Sequence, residues 1–472
     1  MAWRVRTLDD ILAHAEKHAL HRSLGAFQLM MLGVGAVLGT GIFVLTAVGA
    51  ERAGPGLMLS FVIAGAVCGF SALAYAELAA MVPVAGSAYT YSYAVLGELI
   101  AWLVGWNLIL EYAVSAGAVA VGWAGYMNGL LVNIGIHLPY AAQYGAFDFH
   151  HPGGGVNLLA AGSVLLVTGL LVLGTRESAI VNSILVAVKI VALTAFVVLS
   201  VPHIDWRNFT PFMPFGFGST EVDGVNRGVM AAAALMFFAY VGFDAVSTAA
   251  EETKNPNRNV PLGLVGSLVI CTALYLLVTA GAIGSTPYRE LIGNDEPLAW
   301  ILRHLGYVSA GNFVALAAIV ALPTVVMMML YGQSRIFFVM ARDGLLPEIF
   351  SRVHPRFRTP HIITIATGVV VALIAGGFSV DEIAELSNTG TLFAFIAVGI
   401  GVIALRIVQP ERPRPFRCPA VWITASIAIL GCTYLLVSLP KIALVRFALW
   451  TLAGVVVYAL YGYRASPLRQ RS

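Results

Sequence analysis

The sequence predicts an all-α integral membrane protein with twelve transmembrane helices, arranged as a five-plus-five inverted repeat with helices 1 and 6 broken. Three observations predict it. Charge is scarce: 27 Lys+Arg and 24 Asp+Glu in 472 residues, or 11%, against roughly 25% in ordinary soluble proteins. Long apolar runs recur along the chain, with 59% apolar residues and a mean hydropathy of +0.85. Two of the runs carry glycine-containing interruptions near their middles.

The low charge excludes a soluble globule of this size, whose surface could not be wetted. A formal net charge of +3 leaves no basic face for nucleic acid. The four cysteines form no CxxC or Cys/His spacing, so they read as buried, unpaired thiols. No histidine lies deep in an apolar run. No metal and no cofactor are therefore expected.

A bilayer core of about 30 Å needs about 20 apolar residues per helix. Twelve runs meet that need, near residues 25–50, 57–81, 98–131, 156–174, 177–201, 226–250, 261–284, 310–338, 361–379, 384–407, 418–439 and 443–462. Run 1 is too long for a cleaved signal peptide, and eleven more runs follow it. With the N-terminus placed in the cytoplasm, 19 Lys and Arg fall on the inner side and 7 on the outer, with Lys189 inside run 5. That asymmetry puts both termini in the cytoplasm. Residues 1–23 repeat Leu8, Ile11, Leu12, Ala15 and Ala19 at helical spacing, which predicts an amphipathic cytosolic helix on the inner face. The organisation is then 24–201 as the first repeat, 226–408 as the second, 418–463 as two appended spans and 464–472 as a cytosolic tail.

Run 1 contains Gly39-Thr40-Gly41, and run 6 contains Phe238-Ala239-Tyr240-Val241-Gly242. Thr40 lies 15 residues past Gly25, and Val241 lies 15 past Asn226. Interruptions at matched depth are the sequence pointer to a transporter built on an inverted repeat. Unwinding at Gly39, Thr40 and Gly41 frees backbone N–H groups at a positive helix end, a site for a carboxylate. Freed carbonyls at Val37, Phe238, Ala239 and Val241 can hold an ammonium. A molecule with both groups about 3 Å from these partners is an α-amino acid. Gly-x-Gly alone has another use, close helix packing; the second interruption is what favours a site.

Ionisable residues at membrane depth are costly and point to function. Lys189 is 12 residues from either end of run 5, about 18 Å along the axis each way. Burial penalises the charged form, so Lys189 can release its proton near neutral pH and act as a proton-coupling group bridging to run 1. The alternative is a static lysine on backbone carbonyls. Glu111 reads either as a protonated carboxyl satisfied by a neighbour or as a proton or substrate contact. Asp244 reads as the N-cap of the half-helix after Gly242. Glu251 and Glu252 read as an inner gate with Arg335 or Lys254, or as a solvated pair. Of Met327, Met328 and Met329, Met328 is the candidate for a substrate side-chain pocket, and plain packing is the alternative.

These residues carry a resemblance. Gly35-Ala36-Val37-Leu38-Gly39-Thr40-Gly41-Ile42-Phe43 resembles the first-span motif of the amino acid–polyamine–organocation superfamily. Tyr75-Ala76-Glu77-Leu78-Ala79-Ala80-Met81-Val82-Pro83 is similar to its second-span signature. Gly242-Phe243-Asp244, Glu251 to Pro261, Gln333-Ser334-Arg335 and Met340 to Pro347 resemble the cationic amino acid transporter branch. The resemblance covers about residues 24–463. It implies a leucine-transporter-type fold, with Phe238 covering the substrate as part of the outer gate. It also implies a bacterial member in which Lys189 stands where sodium-coupled relatives bind an ion, and a substrate that need not be cationic.

The expectation is a secondary active transporter importing L-amino acids across a bacterial inner membrane by proton symport. Its partners are the amino acid, protons and membrane lipids. The alternative is a proton-independent exchanger or facilitator, including for cationic amino acids. An enzyme is disfavoured, since no HExxH or GxSxG motif occurs.

Overall fold

Backbone polar groups have no water to bond with in hydrocarbon, so a chain this apolar satisfies them within helices. The computed structural model describes residues 24–82, 87–174, 179–222, 224–249, 253–357 and 359–466. The expected cytosolic helix at 1–23, the acidic pair Glu251 and Glu252, and the tail from 467 lie outside these residues.

Among the described residues, seven helical segments are long and apolar enough to cross a membrane: Leu45–Met81, Glu98–Asn133, Ser183–His203, Pro256–Ser285, Val308–Arg342, Val380–Val408 and Lys441–Ala465. Five shorter apolar helices accompany them: Ala26–Val37, Leu158–Leu173, Val229–Tyr240, His361–Gly377 and Val421–Val437. Every expected run holds at least one of these. The chain is a multi-pass membrane protein.

Several boundaries differ from the sequence reading for identifiable reasons. Run 7 starts early at Pro256, because proline is favoured in a first helical turn where its missing N–H costs nothing. Run 10 starts at Val380 and takes in Asp381 and Glu382, since acids in a first turn complement the helix dipole. Run 6 starts later than expected. Asn226 lies in the strand Val225–Arg227, paired antiparallel with Thr220–Val222, and Gly228, at φ +114°, turns the chain into the helix. The two interrupted runs still match, because an unbroken piece of 12 residues precedes the break in run 1, and the run 6 piece Val229–Tyr240 is as long.

Run 3 is the central post, with 78% of its most apolar window buried, whereas run 12 is peripheral at 11%. Packing follows a rule. Run 1 packs on run 7 and run 6 on run 2; run 3 packs on run 10 and run 8 on run 5. Run 5 packs on runs 1 and 7, and run 10 on runs 6 and 2. Runs 2 and 7, 3 and 8, and 4 and 9 touch directly. Each of these contacts is preserved when every run is exchanged for the one five places along. Short helices occupy equivalent places too: Ser87–Val95 precedes run 3 and Pro297–His304 precedes run 8.

At the end of run 2 toward the basic 10–11 loop, Glu77 (1% exposed) is enclosed by cations. Arg406 of run 10 donates to it from Nε at 2.8 Å and Nη2 at 2.7 Å. Arg414 donates from Nε at 3.1 Å and the Cys418 amide at 2.7 Å. Arg414 also donates to the carbonyls of Leu405, Gln409, Pro410 and Arg412, so the loop end of run 10 is wound around one guanidinium. Removing one partner of a buried pair strands the other charge. Glu77→Ala is expected to cost about 3–5 kcal/mol, read as a lower thermal unfolding midpoint of the purified protein. An unchanged midpoint would show that the cluster carries no stability.

Candidate functional site

Run 1 stops at Val37 and restarts at Thr40, with Leu38 (φ −71°, ψ 86°) and Gly39 (φ −136°, ψ −151°) extended between them. The hydrogen-bond ladder resumes with Ile42 and Phe43, both donating to the Gly39 carbonyl. The N–H groups of Gly39, Thr40 and Gly41 have no hydrogen-bond acceptor among the described residues. Beside them the Thr40 hydroxyl is fully buried and also without a partner. Buried donors of this kind are rarely left unpaired. A second kink at Val44 separates Thr40–Phe43 from Leu45–Ala53.

Run 6 breaks differently. Its last turn tightens to a 3₁₀ helix over Phe237–Tyr240, Val241 extends (φ −58°, ψ 136°), and Gly242 takes φ +109°. Only glycine enters that region freely, and a Cβ on Gly242 would meet the Ala36 carbonyl oxygen at 3.1 Å. The helix resumes over Ala245–Thr248.

The two breaks touch. A Cβ on Gly41 would stand 2.4 Å from the Cα of Ala239. Tyr275 of run 7, fully buried, places its hydroxyl 2.8 Å from the Val37 carbonyl and 2.7 Å from the Ala239 carbonyl. Lys189 (1% exposed) donates from Nζ to the Gly35 carbonyl at 3.0 Å. Gly35 lies in the last turn of the first half-helix, where a cation complements the dipole. Asn388 of run 10 donates to the Ala234 and Leu235 carbonyls at 2.7 and 3.0 Å, fixing the piece of run 6 before its break.

The predicted residues therefore gather around one point: Val37, Gly39, Thr40, Gly41, Phe238, Ala239 and Val241 are all buried, and Lys189 reaches the same half-helix end. Thr40 packs its methyl at 2.5 Å from where a Cβ on Gly122 of run 3 would stand. Val325 of run 8 stands against Gly39 at 3.7 Å, measured the same way. Met328 is one turn further on and half-buried. Phe238 and Val241 are each 6% exposed, so little of either side chain reaches solvent.

Asp244 holds the N-cap position but its carboxylate caps nothing. Its own backbone is helical (φ −65°, ψ −21°), whereas a capping side chain needs an extended residue to reach the amides ahead. The carboxylate instead accepts from Ser87 Oγ at 3.5 Å, and Ser87 also hydrogen-bonds the Tyr75 hydroxyl. Glu111, 1% exposed, lies within electrostatic range of Asp244, and its Oε2 has no partner among the described residues. Arg335 lies over the Tyr331 ring at 4.1 Å.

Tyr275 and Asn388 were missed from sequence. Their sequence signal is a polar group within an apolar run, weaker than that of an ionisable residue because Tyr and Asn carry no charge. Gly41→Ala is expected to force runs 1 and 6 apart and lower ligand affinity at least about tenfold, or 1.4 kcal/mol. Isothermal titration with the transported compound measures it, and unchanged affinity would show that the contact is not needed.

A family model described as amino acid permease matches residues 24–460. The chain is 45% identical to the branched-chain amino acid permease BcaP of Bacillus subtilis, covering 99% of each protein. It is 41% identical to the methylthioribose transporter of the same organism, again over 99% of each. It is 37% identical to the vacuolar cationic amino acid transporter 2 of Arabidopsis thaliana, over 87% of this chain and 64% of that protein. The chain belongs to the amino acid permease family, and it is a transporter rather than an enzyme.

Proposed function

We propose that the chain imports L-amino acids across the inner membrane by proton symport, alternating access around the paired breaks. The carrying observation is the three unpartnered N–H groups at Gly39, Thr40 and Gly41, beside the equally unpartnered Thr40 hydroxyl. Together they suit a carboxylate. The carbonyls of Val37, Phe238, Ala239 and Val241 receive the ammonium, and Phe238 with Val325 and Met328 borders the side chain. Apolar walls favour an apolar side chain, in keeping with the branched-chain permease named above.

In this reading all twelve runs span the membrane, with both termini cytoplasmic and lipid against faces such as Leu373 (71% exposed) and Leu430 (69%). Preservation of the packing under the five-place exchange supports the inverted repeat. Runs 1, 2, 6 and 7 pack among themselves, as do runs 3, 4, 8 and 9. Rocking of one group against the other moves the site between faces. Lys189 couples this to protons, because a protonated amine on the Gly35 carbonyl holds run 5 to run 1 more firmly than a neutral one. Glu111 and Asp244 are gating or structural carboxyls beneath the site.

Two measurements test this. Thr40→Val removes an unpaired buried hydroxyl at nearly constant shape, so folding stability should hold within about 1 kcal/mol while substrate affinity falls about tenfold. Equal affinity would remove Thr40 from the site. Lys189→Ala should abolish accumulation driven by a pH gradient in proteoliposomes while leaving counterflow measurable. Undiminished gradient-driven uptake would remove Lys189 from the coupling, whereas uptake by the unmutated protein that ignores the pH gradient would support the second reading, a proton-independent exchanger or facilitator, which the cationic amino acid transporter relatives keep in view.

A further inference from the structure

Run 10 carries a polar side chain that lies against the site's framework rather than in the site. Asn388 is fully buried, and its amide nitrogen donates to the Ala234 carbonyl at 2.7 Å and to the Leu235 carbonyl at 3.0 Å. That nitrogen has two hydrogens, and both go to run 6. The helix Val229–Met236 ends one residue after Leu235, and the last four carbonyls of a helix lack partners within it. Asn388 thus supplies two of the partners that the break takes away.

Phe395 lies seven residues on, two turns along the same face of run 10. Its ring meets Phe237 edge-on with centroids 5.8 Å apart, and Phe243 at a tilt with centroids 5.2 Å apart. Phe237 precedes the break and Phe243 follows it. One ring therefore touches both halves of run 6. Tyr75 of run 2 meets Phe243 and Phe395 edge-on, at 6.4 and 5.8 Å, an arrangement that the ring quadrupoles favour.

We propose that run 10 is a splint across the run 6 break, with Asn388 and Phe395 as positioning residues for the substrate ammonium. This deepens the amino-acid reading above and rests on it. The splint aims the acceptors. An α-helix continued by one turn would use the Ala234 and Leu235 carbonyls for the N–H groups of Phe238 and Ala239. Asn388 occupies both carbonyls, and the chain winds instead as the tighter 3₁₀ turn Phe237–Tyr240. That turn carries the Phe238 and Ala239 carbonyls, and Val241 follows it directly. Phe395 then sets the direction in which the chain leaves, because Phe243 is the first side chain after Gly242.

The arrangement has a counterpart in the other broken helix. Exchanging each run for the one five places along turns run 5 against run 1 into run 10 against run 6. Lys189 holds the Gly35 carbonyl before the first break, and Asn388 holds Ala234 and Leu235 before the second. The two ties differ in one property. An ammonium can lose its proton, whereas an amide does not titrate, so the tie on run 6 is indifferent to pH.

The test uses the purified full-length protein with L-leucine and with isocaproate, which is leucine without its amine. Leucine affinity is measured by isothermal titration, and isocaproate by competition against leucine. Asn388→Leu removes both donors. Phe395→Leu keeps an apolar filler without the ring, and it carries the test should the first variant fail to fold. Leucine affinity is expected to fall at least about fivefold, the scale of one hydrogen bond, while isocaproate changes by less than about twofold. Equal weakening of both compounds, or weakening of neither, overturns the splint and leaves the transport reading standing. No leucine binding by the unmutated protein would instead remove the amino-acid site itself, and the splint with it.

Discussion

A backbone N–H or C=O in hydrocarbon must find a partner within the protein, and the whole centre of this molecule is arranged around two places where the helix ladder cannot supply one. At the run 1 break the carbonyl side is served by Lys189 and Tyr275. At the run 6 break it is served by Tyr275 and, one turn earlier, by Asn388. The amide side of run 1 is not served. Runs 5, 7 and 10 thus contribute polar atoms where their own apolar character would not predict any. The packing of those three runs on runs 1 and 6 delivers the atoms.

Charge is distributed by the same logic. The ion pairs at the two faces are built differently. Glu77 is saturated by two arginines and an amide, which suits a permanent joint. Arg52, at the other face, has two carboxylates, Glu385 and Asp381, but leaves two of its nitrogens idle among the described residues. Between the faces, Glu111, Asp244 and Lys189 are the deep ionisable groups of the described core, and each sits beside a break or the helices that line one.

Much of this was legible in the sequence because periodicity and composition carry it. Twelve apolar runs, two interruptions and a mid-run lysine are local facts, and the described residues hold an apolar helix in each run, a break in runs 1 and 6, and a buried Lys189. What escaped depends on distance along the chain. The Asp244 cap failed because capping needs a particular φ and ψ, and the tight turn after Gly242 leaves Asp244 helical. Val325, which stands against Gly39, was not singled out because helix rotation cannot be read from an apolar run. Tyr275 lies 238 residues from the Val37 carbonyl it bonds, and Arg52 lies 329 residues from Asp381. No local pattern announces a partner at that separation.

The Tyr275 hydroxyl has a consequence of its own. A phenol carries one hydrogen, and two carbonyls, Val37 and Ala239, compete for it at nearly equal distance. The hydroxyl therefore has two orientations, distinguished by which broken helix holds the hydrogen. In either arrangement one carbonyl keeps its lone pairs bare against a phenol oxygen, an electrostatic mismatch. A cation beside the bare carbonyl relieves the mismatch and removes the degeneracy, so one proton's orientation reports to both broken helices whether the gap between them is filled.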